Sequence, residues 1–316
     1  MLLLLLLPVL AAYLILSTYL LRRPWLLHRR RVLAFCPQHI SHRGGAGERI
    51  ENTMEAFRHA VECGTDMLEL DCFLTNDGVV VVSHDSDLSR QTGSSVQIRE
   101  LDERDLPPYK EWIEVLFYPG YYTTGADRRI PRLDEVFQKF PTLPVNVEIK
   151  ENNPVLIRKV SDLVKRFQRE HITVWASESE EIIRECRKAN PSMPRAFTLP
   201  AMFRLLLAFY TGALPFLPLH QSCLETLMPS IIGRYYRPTS GFLSYPLVPQ
   251  LLDWLLMRKS LIKHLVDRGI QVYLWTLNEE SDYRRAFSLG ATGVMTDFPS
   301  RLRGFLDRSS GLPPLR

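Results

Sequence analysis

An α/β barrel of the TIM type, a (β/α)8 array with a small insertion and an N-terminal transmembrane helix ahead of it, is the fold class the sequence predicts. Three observations point there. Short β-branched or aromatic runs alternate with helical patterns from residue 38 onward, which implies a parallel sheet. Short polar motifs close those runs, as functional groups do at the carboxyl ends of barrel strands. The 316 residues accommodate a barrel of about 250 residues and an appendage. No Gly/Ser linker, repeat or low-complexity tract divides the chain, so the expected organisation is an anchor with a basic stop-transfer segment over 1–31, one catalytic domain over 39–303 and a tail over 304–316.

Leu2 to Leu21 is uncharged and interrupted by Pro8 alone. A run of about 20 apolar residues matches a hydrocarbon core, and no basic region precedes it as in a cleaved signal peptide. Arg22, Arg23, Arg29, Arg30 and Arg31 follow at once, so the positive-inside rule places the remainder in the cytosol. The expected location is therefore an internal membrane, endoplasmic reticulum or perinuclear, with a single-pass anchor. A net charge of +4 with the basic excess concentrated there argues for anionic lipid headgroups and against nucleic acid. Five irregularly spaced cysteines suit reduced thiols rather than a disulfide framework.

Strands are expected at 38–41, 66–71, 79–83, 145–149, 172–176, 195–199, 271–276 and 293–296. Helices are expected at 52–63, 134–140, 154–170, 178–188, 251–267 and 281–289. Only Cys72 to Gly78 separates the second and third strands, too short for a parallel crossover. Asn76-Asp77-Gly78 signals a hairpin; a two-residue loop would set His84 opposite either Glu69 or Asp71. Residues 86–131 lack a βα unit and read as an insertion over the active face. Residues 196–219 carry one charge, Arg204, and are broken by Pro200, Pro215 and Pro218. They read as an apolar segment dipping into the bilayer at the barrel mouth rather than a second span.

Glu69 and Asp71 are two apart on a strand, so both carboxylates project from one face. They repel unless a cation lies between them, and Glu148 at another strand end offers a third oxygen ligand. Oxygen-only ligation favours Ca²⁺ or Mg²⁺ over zinc. His42 and His84, at strand ends beside these acids, are candidates for proton transfer. Arg43 and Lys150 suit phosphate oxygens. Trp275 either packs in the barrel core or walls the pocket.

In order along the chain stand His42-Arg43-Gly44, Glu51-Asn52-Thr53, Glu69-Leu70-Asp71, His84-Asp85, Glu148-Ile149-Lys150, Trp275-Thr276-Leu277-Asn278 and Thr296-Asp297-Phe298-Pro299. Over roughly residues 39 to 303 this series resembles the glycerophosphodiester phosphodiesterase family, and with the apolar N-terminus its membrane-anchored lysophospholipase D-type members. The resemblance implies a metal held by Glu69, Asp71 and Glu148 and catalytic histidines at His42 and His84. The expected activity is metal-dependent hydrolysis of lysoglycerophospholipids, for example lysophosphatidylcholine to lysophosphatidic acid and choline. His42 is expected as base and His84 as acid, with water or a neighbouring hydroxyl as nucleophile. The expected partners are that lipid and the bilayer. The rival readings are hydrolysis of water-soluble glycerophosphodiesters, which need no apolar lip, and an inactive lipid-binding scaffold, which would be expected to have lost a ligand or histidine.

Overall fold

The structure is a computed structural model describing residues 2–238 and 241–309; Met1 of the expected anchor and 310–316 of the expected tail lie outside the described residues. Its elements in chain order are α1 (Leu2–Leu21), β1 (His39–Ser41), α2 (Met54–Glu62), β2 (Met67–Leu74), β3 (Val80–Val82), α3 (Ser89–Thr92), β4 (Ile113–Glu114), β5 (Tyr122–Thr123), α4 (Leu133–Lys139), β6 (Val145–Ile149), α5 (Pro154–Arg166), β7 (Thr173–Ala176), α6 (Glu180–Ala189), α7 (Leu199–Tyr210), β8 (Cys223–Leu227), α8 (Val248–Leu256), α9 (Lys259–Asp267), β9 (Gln271–Trp275), α10 (Glu280–Leu289), β10 (Gly293–Thr296) and α11 (Pro299–Ser309).

The local chemistry accounts for these boundaries. Thr53, Asn153, Ser179 and Thr198 each accept a hydrogen bond from the first turn of the helix that follows, satisfying donors that have no intrahelical partner. Pro154 and Pro200 stand in first turns, where a missing N–H costs nothing. The stretch expected as one helix over 251–267 is two. It breaks at Met257 and Arg258, where the Arg258 amide turns back to Leu256 O.

The strands run β7-β6-β2-β1-β10-β9-β8, all parallel, with β3 antiparallel on β2 and β4-β5 a separate ribbon. This corrects the closed eight-stranded barrel. The sheet is incomplete, a half-barrel whose end strands β7 and β8 form no ladder with each other. The expected strand at 195–199 is reduced to isolated bridges, Trp175 to Arg195 and Ala196 to Cys223. The reason is local: Pro194 precedes it, and by Thr198 the chain is already capping α7, so too few residues remain for a strand. β8, not expected from the sequence, pairs with β9 from Cys223↔Gln271 to Leu227↔Trp275.

The hairpin between β2 and β3 also departs from expectation. Cys72 opposes Val82 and Leu74 opposes Val80, so the loop is three residues with Gly78 at φ +78°. The Thr75 amide bonds Val79 O, and its hydroxyl accepts from the Val79 amide. That register puts Ser83 beside Asp71, through the Ser83 amide to Asp71 O at 3.0 Å, and leaves His84 beyond the strand.

The transmembrane helix is the second correction. Among the described residues, no helix is long and apolar enough to cross a membrane, which removes the ground for a single-pass anchor and for the internal-membrane location built on it. The C-terminal half of α1 is occupied by protein contacts. Tyr13 Oη donates to Thr211 O at 2.9 Å and Ser17 Oγ to Gly212 O at 2.6 Å. The Tyr13 ring stacks on Phe216, Ser17 and Leu20 are buried, and Leu21 O accepts from His264 Nδ1 of α9. The flanking segment then crosses the sheet's amino end, where the Arg31 amide bonds Arg268 O. A Cβ at Gly269 would run into the Arg31 carbonyl oxygen. The apolar run over 196–219 contains α7, a helix of 12 residues, with Arg204 paired to Glu180 of α6 at 2.6 Å.

Candidate active site

β2 alternates, so Glu69 and Asp71 share one face, and its parallel pairing with β6 sets Asp71 directly beside Glu148. One oxygen from each of these three acids lies within 4.8 Å of the others. Glu69 and Asp71 are buried and Glu148 is partly exposed. Burial and the neighbouring charges of Asp71 and Glu148 hold the Glu69 carboxyl well above the ordinary range. Glu148 is raised by burial and by Asp71, with Lys150 opposing. For Asp71, burial is outweighed by Lys150, His84 and Arg43, which lower it.

The cluster fits a hard divalent cation. Its donors are all carboxylate oxygens, Glu69 resists charging without a compensating cation, and Asp71 Oδ1 is buried with no hydrogen bond. Lys150 Nζ lies 3.1 Å from that atom and 3.0 Å from Glu148 Oε2, a charge contact rather than a directed bond to Asp71. Those two acids raise the lysine against the effect of burial.

His42 leaves β1 in a single turn. Its Nδ1 is 2.7 Å from Asp297 Oδ1, which follows β10, and its Nε2 is 4.0 Å from Glu69 Oε2. Asp297 is held in turn by Asn278, whose Nδ2 donates to Asp297 Oδ2 and whose Oδ1 accepts from the Asp297 amide. Burial and Arg43 push His42 below the ordinary imidazole range, Asp297 opposing, so it is neutral near pH 7. With Nδ1–H donated to the carboxylate, Nε2 is the free base.

Arg43 takes a positive φ of 50°, and its amide donates to Glu69 Oε2 at 2.8 Å. Its guanidinium is buried, 3.2 Å from Glu51 Oε2 and 3.9 Å from Asp71 Oδ2. Glu51 is brought down to about 2, burial being outweighed by Arg43 and Arg90. His84 Nδ1 lies 2.6 Å from Asp85 Oδ1 and its Nε2 3.4 Å from Lys150 Nζ. Arg90 Nε donates to the other Asp85 oxygen. The two histidines thus face the acid cluster from different strands, each backed by its own aspartate.

Trp275 is half-buried and meets Phe117 edge-on at 6.0 Å, and Phe117 meets the His42 ring at 5.6 Å. Tyr236 also packs on Phe117, with ring centroids 4.9 Å apart. The tryptophan therefore touches both the core and an aromatic wall that reaches His42.

Several residues near the site carried no role in the sequence reading. Asp297, Asn278, Glu51 and Asp85 stood inside the polar motifs, so their signal was present. Asn52 Nδ2, which donates to Asp71 Oδ2, was likewise in a motif. Phe117 had no signal beyond lying in an aromatic stretch. Glu225, on the unforeseen β8, accepts from Asn146 Nδ2 at 2.8 Å and is raised to about 8 by burial, with Asn146 opposing.

A model of the glycerophosphoryl diester phosphodiesterase family matches residues 42–301. Human lysophospholipase D GDPD1 is 52% identical, over 96% of this chain and 97% of that protein. Human lysophospholipase D GDPD3 is 50% identical, over 95% of each. In structure, a glycerophosphoryl diester phosphodiesterase domain from Mycobacterium tuberculosis superposes with a TM-score of 0.65 at 16% identity, over 85% of this chain and 99% of that one, a likeness of fold. By its matched length and these identities, the chain belongs to the glycerophosphoryl diester phosphodiesterase family.

Proposed function

We propose that this phosphodiesterase is a lysophospholipase D, cleaving the headgroup ester of lysoglycerophospholipids such as lysophosphatidylcholine. The carrying observation is the extent of the match to human lysophospholipase D GDPD1, 52% identity over nearly the whole of both chains. The proposed catalytic unit is 39–303, with 86–131 inserted over its active face.

Glu69, Asp71 and Glu148 would hold the cation, Ca²⁺ or Mg²⁺. When bound, it supplies positive charge against the phosphoryl oxygens as negative charge grows on them. Around that centre this chain's own groups do the rest. His42, neutral and with Nδ1–H given to Asp297, takes the nucleophile's proton at Nε2. His84, oriented by Asp85, gives a proton to the leaving alcohol. Lys150 reaches the phosphate from between Asp71 and Glu148. Arg43 acts from a buried pair with Glu51, so it steadies Glu69 through its amide and adds positive potential. Phe117 and Trp275 keep water from the His42 side.

Contact with the bilayer surface belongs to the same proposal. Phe203 and Leu207 of α7 and Leu251 and Trp254 of α8 are exposed. The two helices are joined where Tyr210 stacks on Trp254 and donates to Leu255 O. Such a surface suits monolayer contact.

Purified protein should turn over lysophosphatidylcholine faster than glycerophosphocholine and lose both activities to a chelator. Faster turnover of the soluble diester would favour the rival reading, hydrolysis of water-soluble glycerophosphodiesters.

A further inference from the structure

A second group of ligating side chains lies on the outer side of the β1–α2 connection. His59 and Cys63 are four apart on α2 and its C-terminal cap, so they share one face of the helix. Glu48, in the turn before α2, reaches the same place. His59 Nε2 lies 2.5 Å from Glu48 Oε2 and Cys63 Sγ lies 3.6 Å from His59 Nε2. The three ligand atoms are all within 4.8 Å of one another. All three residues are intermediate in exposure, which leaves room for a water ligand. None of them takes part in the chemistry proposed above.

We propose that Glu48, His59 and Cys63 form a binding site for Zn²⁺ or a similar borderline-soft divalent ion, separate from the carboxylate cluster. One thiolate, one imidazole nitrogen and one carboxylate oxygen, with water as fourth ligand, is a zinc-type donor set. The oxygen-only set of Glu69, Asp71 and Glu148 selects harder cations. Binding forms a metal–sulfur, a metal–nitrogen and a metal–oxygen bond. The Cys63 thiol proton and the proton shared between His59 and Glu48 leave to solvent. Without the ion, burial and the charges of Glu48 and Glu62 raise the Cys63 thiol, Arg49 opposing. A bound cation reverses that balance.

The site is placed to brace the catalytic loop. Glu48 Oε1 accepts from the Ser300 hydroxyl at 2.6 Å, and the Ser300 amide in the first turn of α11 is shared between Oε1 at 3.1 Å and Oε2 at 3.3 Å, so Oε2 has the weaker of the two amide contacts to give up to the ion. The neighbouring Gly47 amide bonds Asp297 O, on the residue that holds His42. An ion on Glu48 Oε2 would therefore join α2, α11 and the loop bearing His42 at a single point.

The test is a Co²⁺ titration of the full chain in saturating Mg²⁺, read by absorption. One equivalent should give a thiolate-to-cobalt charge-transfer band in the near ultraviolet that Zn²⁺ removes by displacement, a band the oxygen-only cluster cannot produce. Cys63→Ser should abolish the band, and His59→Gln should weaken Co²⁺ binding at least about 10-fold, since even outer-shell partners cost that much. Cys36→Ser, at the cysteine that is exposed, should change neither. Absence of the band, its survival in Cys63→Ser or its loss in Cys36→Ser would overturn the proposal.

Discussion

His42 and Asp297, 255 positions apart in the chain, meet through Nδ1 and Oδ1 at 2.7 Å. The second oxygen of Asp297 and its amide are both taken by Asn278, so the aspartate has one oxygen for the imidazole and a fixed direction. This pairing sets which ring nitrogen faces the acid cluster. Asp297→Asn keeps the shape and removes the charge that favours the Nδ1–H tautomer. We expect kcat to fall by about 10²-fold or more with little change in KM. Steady-state kinetics would expose a smaller role if KM alone rose.

Loss of either histidine should be as severe. His42→Ala and His84→Ala should each lower kcat by about 10²-fold or more. Asp85→Asn should lower it less, because the aspartate acts through His84. Near-normal kcat in His84→Ala at every pH would return that residue to a packing role.

For the carboxylate cluster, EDTA should abolish turnover and added Mg²⁺ or Ca²⁺ restore it. Glu69→Gln, Asp71→Asn and Glu148→Gln should each prevent the rescue while leaving the thermal transition within a few degrees. The raised Glu69 carboxyl adds a sign. It holds a proton more readily than an ordinary carboxylate, and a bound cation competes with that proton, so cation affinity should rise with pH. Calorimetry in buffers of different ionisation enthalpy would measure that proton, and a pH-independent affinity would count against three-carboxylate ligation.

Stability should fall on acidification through two histidines outside the site. His39 and His264 are buried, and burial lowers each to about 4, below the unfolded value of about 6.5. Their contribution is therefore present above pH 6.5 and is lost as pH falls toward 4, where the unfolded chain binds more protons. Between pH 7 and 5 each should cost about 2 kcal/mol. Urea unfolding of His39→Gln and His264→Gln should show a shallower loss over that interval than the parent.

On the apolar surface of α7, Phe203 and Leu207 face outward whereas Leu206 is in the core. Phe203→Glu and Leu207→Glu should raise the apparent KM for lysolipid in vesicles and leave kcat on a soluble diester unchanged. Leu206→Glu should instead destabilise the fold. Equal vesicle kinetics for parent and both surface variants would remove the bilayer contact from the proposal.

Where residues are adjacent in a strand, the sequence was a direct guide to geometry. Two-residue alternation placed Glu69 and Asp71 on one face, and the apolar runs before His42, Glu148 and Asp297 marked β1, β6 and β10. Geometry set by side chains or by distant segments was not legible. The register of the hairpin depends on the Thr75 hydroxyl making a three-residue loop, which Asn76-Asp77-Gly78 alone does not announce. β8, Cys-Leu-Glu-Thr-Leu, carries one β-branched residue and a carboxylate, so neither alternation nor composition distinguished it. The Arg43–Glu51 pair at 3.2 Å joins two motifs eight residues apart, and no spacing rule anticipates that contact. Hydropathy over 2–21 recorded apolar character without the Tyr13, Ser17 and Leu21 contacts that dock this helix onto α7 and α9.

That docking also has a consequence in time. The His264 partner of Leu21 O is made 243 positions later, and Arg31 has its place against Gly269 only once that turn exists. At about 5–20 residues per second, a ribosome would need on the order of 10 to 50 s between emergence of the two sides of this contact. During that interval the leucine-rich α1 lacks the neighbours it has in the fold. Until residues 211 to 264 have been made, the Tyr13, Ser17 and Leu21 contacts of α1 have no partner to form with, so this helix docks after most of the sheet it packs beside.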